Sequence, residues 1–308
     1  MKRIKVFAPA TVSNVGPGFD IMGFALNEPG DLVEVALAKG TEIRIKRIYG
    51  SRDLPYNPSK NTATASIISL LNSLDIKAGL DVVIKKEMGI GSGLGSSAAS
   101  SVAGVFAVNK LLNLKLPHGE LLKHALNGEI ISSGTLHADN VAPCLYGGFV
   151  LVRSYDPPDI IEIDYPQNLF CTVIYPQIEI KTSEARKILD KKVKREDAIS
   201  QAGNASGLIA GLLKKDTNLI SRSMKDLIAE PKRAKLIPCY DDVKNAAIES
   251  GALNCNISGS GPSMFSFSES LKDAERIASA MKIAVLSKGF ENITYISKIN
   301  KRGPVVIK

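Results

Sequence analysis

Residues Gly89 to Val102 read GIGSGLGSSAASSV: Gly89, Gly91, Gly93 and Gly95 fall at alternate positions, and Ser96 and Ser97 lead into a run of small residues. Glycine has no Cβ, so backbone amides in such a loop can turn inward and approach a ligand closely. A helix starting directly behind it adds unpaired N–H donors and a positive dipole end. Together these make a cradle for an anion. Leu80 to Lys86 (LDVVIKK) is β-branched and predicts a strand, while Ala98, Val102, Val105, Phe106 and Leu112 recur at helical spacing. The loop is not a Walker A motif, since no lysine follows the last glycine, and its glycines miss the GxGxxG spacing of a dinucleotide site. A plain flexible Gly/Ser connection is the bland alternative; the strand and helix on either side count against it.

A chain of 308 residues exceeds what one core usually serves and predicts two domains. Hydrophobic residues at 44% and charged residues at 23% fit a soluble globular protein and not a disordered one. No apolar run approaches the roughly 18 residues of a membrane helix. The apolar part of MKRIKVFAPA is too short for a secretion signal, and Pro9 interrupts it. Cys144, Cys171, Cys239 and Cys255 lie far apart without CxxC spacing, which argues against a zinc site or a disulfide framework. They fit buried thiols in a reducing cytosol, so a cytoplasmic location is expected. The formal charge of +8 would suit nucleic acid or an anionic small substrate. Lys and Arg are scattered and tryptophan is absent, so stacking platforms for a polymer are thin. A nucleotide and a small anionic substrate are expected, with no nucleic-acid or membrane partner.

Lys2 to Ala8 alternates basic and apolar residues and predicts a strand ending at Pro9. Thr11 to Asp20 (TVSNVGPGFD) is a turn-rich loop carrying Ser13, Asn14 and Asp20, where Asn and Asp serve either as turn caps or as ligand contacts. Leu32 to Leu37 and Glu42 to Ile48 look like a hairpin of strands. Asn61 or Thr62 sits where the N-cap of a helix over Ala63 to Leu74 belongs. Gly119 to Leu126 is helical and leads to NGEIISSGTLHADNVAP, a polar cluster with Glu129, Ser132, Ser133, His137, Asp139 and Asn140. Acid, amide, hydroxyl and imidazole mixed between apolar elements point to a site. Strands over Gly148 to Arg153 and Ile160 to Ile163 flank a turn at Asp156-Pro157-Pro158, and a boundary near Tyr165-Pro166 gives domains over 1–165 and 166–308.

The second half has a strand over Leu169 to Tyr175 and a helix from Thr182 carrying Arg186. Helices over Glu196 to Leu213 and Leu219 to Ile228 precede EPKRAKLIP, with Arg233 between two prolines. A helix over Asp241 to Ser250 follows, then short strands around a second Gly-rich turn, SGSGP (Ser258 to Pro262). A helix over Leu271 to Leu286 and a strand over Ile293 to Ile299 complete a small α+β layer.

NVGPGFD, GSGLGSSAAS and SGSGP, in that chain order, resemble the three motifs of the GHMP small-molecule kinases. Within that superfamily SSGTLHADNVAP, TSEAR and EPKRAKLIP are similar to the homoserine kinase family. The match runs from Pro9 to Pro262, most of the chain; GxGLGSSxA alone would indicate only the superfamily. The resemblance implies a two-domain α+β fold, with an N-terminal domain like domain 2 of ribosomal protein S5 and a ferredoxin-like C-terminal domain. It also implies an active site between the two domains and a homodimer, the common assembly of family members. It implies ATP-dependent transfer of the γ-phosphoryl group to the side-chain hydroxyl of L-homoserine, on the route to threonine, with Mg2+.

Carried over by motif, Gly89, Ile90, Gly91, Ser92, Gly93, Leu94, Gly95, Ser96, Ser97 and Ala98 hold the triphosphate, and Asn61 lies near the adenine. Ser97 and Glu129 match the positions that hold Mg2+ in the family. Asn14, Asp20, His137, Asn140, Thr182, Arg186 and Arg233 form the homoserine pocket, with Asp20, Asn140 and Arg186 at the chemistry. Met88 stands where many members have proline, which leaves the stiffness of the loop entrance open.

Phosphoryl transfer through a loose transition state asks for positioning and charge neutralisation. Hydroxyl and carboxylate oxygens are hard ligands suited to Mg2+. Arg186 and Arg233 offer forked donors to a carboxylate or phosphate. Asp20 can accept from an ammonium or a hydroxyl, and Asn140 can orient a hydroxyl without taking its proton at neutral pH. A transfer without a strong base is expected, with Asp139 and His137 as rival bases by type. Two other readings compete: a kinase for another small alcohol such as mevalonate or shikimate, and a non-catalytic nucleotide- or RNA-binding module. The module predicts salt-sensitive polymer binding and a broken metal site, whereas Ser97 and Glu129 are both present.

Overall fold

The computed structural model describes residues 2–134, 136–180 and 182–307. Thr135 and the side chains of Ser132 and Ser133, all in the polar cluster, lie outside the described set.

Among the described residues the strands form two sheets. The first contains β1 (Arg3–Ser13), β2 (Met22–Ala38), β3 (Ile43–Tyr49), β4 (Gly79–Lys85), β5 (Phe149–Tyr155), β6 (Pro158–Ile163) and the last strand, β11 (Val305–Ile307). β2 is long because it serves two partners besides β1: Leu32–Ala38 pairs with β4 and Met22–Phe24 with β5, all antiparallel. β1 buries Val6, Ala8, Ala10 and Val12 and runs on to Ser13, past the end expected at Pro9. Pro9 stands opposite Gly30, and the register shifts between Pro9 and Thr11, an irregularity that tolerates the missing amide.

The expected hairpin of Leu32–Leu37 with Glu42–Ile48 does not form. β4, with Leu80, Val82 and Ile84 buried, lies between β2 and β3, and β3 runs parallel to it through the crossover helix α1 (Thr62–Ser73). A central place buries those apolar residues on a strand that an edge would leave half-exposed. α2 (Ser96–Leu111) and α4 (Ala138–Tyr146) lie on β1 and β2, and α1 and α3 (His118–Ser133) close over α2. α2 is buried nearly all round, as its Ala, Ser, Val and Gly content allows. The stretch read as a polar cluster after Glu129 is mostly helical: α3 continues to Ser133, and α4 starts at Ala138 although Pro143 sits inside it.

The second sheet is antiparallel, in the order β10 (Asn292–Lys298), β7 (Phe170–Pro176), β9 (Met264–Ser268), β8 (Asn256–Ile257). α9 (Tyr240–Glu249) and α10 (Leu271–Ser287) bury Val243, Ala247, Ile277, Met281 and Val285 beside it. α5 (Thr182–Lys187) and α8 (Glu230–Arg233) are short and carry Arg186 and Arg233. α6 (Arg195–Lys214) packs on α7 (Thr217–Ser223), which stops short of the expected Ile228 where Asp226 collects the amides of the next segment. Phe24 and Phe149 of the first sheet interlock with Phe265 and Phe267 of the second, with ring centroids 5.2 to 5.9 Å apart across the two sheets. That cluster fixes how the layers meet. β11 then pairs antiparallel with β1, so the end of the chain rejoins the first sheet. Among the described residues no helix is long and apolar enough to cross a membrane.

Candidate active site

A cleft of about 1060 Å3 opens where the Gly loop, the early loop, the start of α4, α5 and the late turn converge. Hydrogen bonds join the three turns. Thr11 N donates to Leu94 O (3.1 Å), Gly259 N to Ser13 O (3.1 Å) and Ser263 N to Ser92 O (3.2 Å). The Ser258 hydroxyl donates to Gly93 O at 2.7 Å, and Asn14 Nδ2 to Gly259 O at 2.8 Å. Gly93 has φ +81°, and a Cβ there would lie 2.4 Å from the Ser258 carbonyl oxygen, so this crossing admits only glycine. At Gly91, φ +70°, the nearest atom to such a Cβ is Ile180 O at 3.7 Å; its backbone faces open cleft.

α2 starts behind Gly95, which offers no side-chain cap, and no acid stands in its first turn. The first amides and the positive dipole end therefore suit an anion such as a phosphate chain. Beneath the loop lies an ion pair that the sequence reading missed, Lys86 with Asp31, their side chains 3% and 0% exposed. Lys86 Nζ also donates to Ser96 O and Ser100 Oγ, both at 2.7 Å. Asp31 accepts from Glu87 N (2.8 Å), Met88 N (3.2 Å) and Ser96 Oγ (2.7 Å). The pair thus holds both ends of the Gly loop. One signal could have found it: Asp31 shares the inward parity of Val33 and Val35 on β2.

On the other side of the cleft, Arg186 Nη1 and Nη2 donate to Asp20 Oδ2 and Oδ1 at 3.2 and 3.1 Å. Asn14 Oδ1 accepts from Asp20 N at 2.9 Å, and both residues take positive φ, 67° and 59°. His137 Nε2 lies 3.4 Å from Arg186 Nη2, and its Nδ1 is 3.8 Å from Glu129 Oε2. Burial works against the His137 imidazolium, but the Glu129 hydrogen bond and the Asp139 and Glu129 charges outweigh it and raise its pKa. Asp139 is fully buried; burial, then the Asp20 charge, push its carboxyl up to about 6. Asn140 Oδ1 accepts from Thr11 Oγ1 at 2.8 Å, and its Nδ2 donates to Ser13 Oγ at 2.9 Å. Arg233 Nε and Nη1 donate to Ala185 O (3.2 Å) and Gly259 O (2.7 Å), with its guanidinium 5.0 Å from the Phe19 ring centroid. The Tyr155 hydroxyl donates to Asp20 O at 2.6 Å, tying the early loop to β5.

Every residue expected at the nucleotide, metal and acceptor sites lines this cleft except Ala98, which is buried in α2. Asn61 caps α1, accepting from Ala63 N at 3.2 Å, while Nδ2 donates to Pro55 O at 3.1 Å. Thr182 Oγ1 stands 3.4 Å from Ser260 Oγ. Ser97 and Glu129 present hydroxyl and carboxylate oxygens, a donor set suited to a hard cation.

A Gly loop at a helix start, stitched to a polar acceptor side by two further loops, defines a small-molecule kinase of the GHMP class. The models described as GHMP kinases N terminal domain and GHMP kinases C terminal match residues 61–148 and 208–286. Homoserine kinase of Chlorobium phaeobacteroides (strain DSM 266) is 44% identical, covering 100% of both chains, and that of Pyrococcus abyssi 38%, covering 98% of each. A crystal structure of homoserine kinase from Cytophaga hutchinsonii aligns with a TM-score of 0.98 at 51% identity, over 100% of this chain and 98% of that one. The chain belongs to the homoserine kinase family. Mevalonate kinase of L. major, TM-score 0.74 at 16% identity over 96% of each chain, shares the fold alone.

Proposed function

We propose that the chain phosphorylates the side-chain hydroxyl of L-homoserine with ATP, giving O-phospho-L-homoserine for threonine biosynthesis. Its relatives support the substrate. One observation carries the reading: an uncapped helix start behind a Gly loop shares a cleft with the Arg186–Asp20 fork, Arg233 and Asn14.

ATP with Mg2+ supplies the phosphoryl group and neutralises its oxygens. Gly89 to Ser97 and the first amides of α2 would hold the phosphates, Asn61 would lie near the adenine, and Ser97 and Glu129 would ligate the metal. Among the described residues no group of three or more His, Cys, Asp or Glu forms a ligand cluster. Two oxygen donors, the Ser97 hydroxyl and the Glu129 carboxylate, suit an ion that keeps water and phosphate oxygens.

For homoserine, Arg233 has committed Nε and Nη1 to carbonyls, which leaves Nη2 for the substrate carboxylate. Arg186 Nε is buried with no hydrogen-bond partner among the described residues, a second donor for the same group. Asp20 accepts from the ammonium, with Asn14, His137 and Thr182 as walls. Asn140, fixed by Thr11 and Ser13, orients the reacting hydroxyl; an amide cannot take its proton, so the reading is transfer by positioning without a strong base. We also propose a cytoplasmic homodimer whose domains divide near residue 165, with β11 crossing back. Four buried free cysteines and the exposed Ile283 and Leu286 on α10 support location and assembly respectively.

A coupled ADP-release assay with homoserine, mevalonate and shikimate tests the specificity. A pocket built to hydrogen-bond one substrate should prefer homoserine by roughly a hundredfold or more in kcat/KM. A preference for mevalonate would reject the assignment.

A further inference from the structure

Between the two acceptor-side segments stands a buried glutamine that none of the motifs covers. Gln201 lies on α6 and is 8% exposed. Its Nε2 donates to Pro17 O and to Asp226 Oδ1, both at 3.0 Å, and its Oε1 accepts from Leu227 N at 2.8 Å. Pro17 sits in the early loop between Asn14 and Asp20. Asp226 caps the segment that starts α8: Oδ1 accepts from Ile228 N (2.8 Å) and Ala229 N (3.1 Å), and Oδ2 from Glu230 N (2.8 Å). One turn later α8 presents Arg233. The same two segments meet again at the cleft, where Asn14 Nδ2 and Arg233 Nη1 both donate to Gly259 O, at 2.8 and 2.7 Å. The early loop and α8 are therefore tied at two points, and Gln201 is the tie remote from the ligand.

We infer that Gln201 is a positioning residue for the acceptor pocket: it sets the spacing between the loop of Asn14 and Asp20 and the helix of Arg233. It makes no hydrogen bond to the Gly loop, so its influence falls on the acceptor and spares the nucleotide. The inference rests on homoserine occupying the acceptor side. Gln201→Met keeps the side-chain length and its apolar stem but makes none of the three bonds. Pro17 O and Leu227 N then lose a partner, and the two segments can shift relative to each other. A displacement near 1 Å at a reacting centre costs about a hundredfold in rate.

The test compares full-length wild type, Gln201→Met and Asn204→Ala in the ADP-release assay. Asn204 donates from the same helix to Lys225 O at 3.0 Å without reaching the early loop, so it controls for a general loosening of α6. Gln201→Met should lower kcat/KM for homoserine roughly tenfold or more, with KM for ATP unchanged, and Asn204→Ala should move neither. A matching rise in KM for ATP, or an unchanged kcat/KM for homoserine, overturns the inference. Hydrogen exchange gives a second readout independent of turnover: in Gln201→Met, amides over 14–20 and 226–230 should exchange faster together, and loosening of only one segment overturns the tie. Wild type inactive on homoserine sinks the substrate reading alone, and the exchange result then decides Gln201.

Discussion

Lys86→Met removes the cation beneath the Gly loop while keeping a chain of similar length. Asp31 remains buried and keeps Glu87 N, Met88 N and Ser96 Oγ at 2.7 to 3.2 Å, but its charge loses its partner. Ser96 O and Ser100 Oγ each lose a donor at 2.7 Å. Removing one member of a buried pair costs about 3–5 kcal/mol, and the donors retained by Asp31 place this case near 3. At an unfolding entropy of about 2.1 cal/mol/K per residue, each kcal/mol moves Tm of this 308-residue chain by about 1.5 °C, so a fall of roughly 5 °C is expected. The pair contacts both ends of the loop and none of Asn14, Asp20, Arg186 or Arg233. KM for ATP should therefore rise roughly tenfold, with KM for homoserine little changed. Calorimetry with initial-rate kinetics measures both, and the Asp31→Asn/Lys86→Met double variant should regain much of the lost Tm because no charge stays buried. A Lys86→Met enzyme that melts like wild type, or one impaired for homoserine and not for ATP, would refute the reasoning.

Asp139 has its pKa raised to about 6 by burial and by Asp20. The fold thus favours its protonated form: that stabilisation is complete below the ordinary carboxylate pKa, shrinks as pH rises towards about 6, and is absent above it. A rise of about two units is on the order of 3 kcal/mol. Asp139→Asn should consequently raise Tm more at about pH 8 than at about pH 5, and keep turnover within about tenfold of wild type; a loss of several orders of magnitude with the fold intact would make Asp139 the base. Gly93→Ala, with a Cβ 2.4 Å from Ser258 O, should melt well below Gly91→Ala, where the nearest atom is 3.7 Å away, and equal melting temperatures would contradict the packing of the two turns. Arg186→Lys keeps the charge but loses the fork on Asp20, and should lower kcat/KM for homoserine by roughly 10- to 100-fold. Its Tm should change little, because the pair is about one-third exposed; unchanged kinetics would remove Arg186 from the pocket.

The Gly loop was legible because its glycines, the strand before and the helix behind all obey local rules: the strand over Leu80 to Lys86 and the helix from Ser96 stand where the pattern places them. Asn61 was legible as a cap for the same reason. Pairing between strands was not. Nothing local tells β3 to pass β2 and run parallel to β4, since that order is set by which strand buries most apolar surface. α4 escaped because Pro143 and the polar run from His137 to Asn140 break the apolar periodicity of a helix, while the burial of Val141, Ala142 and Leu145 that stabilises it comes from distant strands. The positioning residues were hidden more deeply. Asp31, Lys86 and Gln201 carry no motif, and their partners lie at sequence separations such as 65, 10 and 184 residues. Their roles exist only once the chain has folded.

The central claim is that one cleft has a nucleotide side along Gly89 to Ser97 and a homoserine side around Asp20, Arg186 and Arg233. A crystal structure with a non-hydrolysable ATP analogue, Mg2+ and homoserine tests it most directly. The triphosphate should follow the Gly loop to the start of α2, the metal should touch Ser97 and Glu129, and the homoserine carboxylate should meet Arg233 with its hydroxyl beside Asn140. Homoserine density away from Arg186 and Arg233, or an analogue whose phosphates avoid the Gly loop, would contradict it.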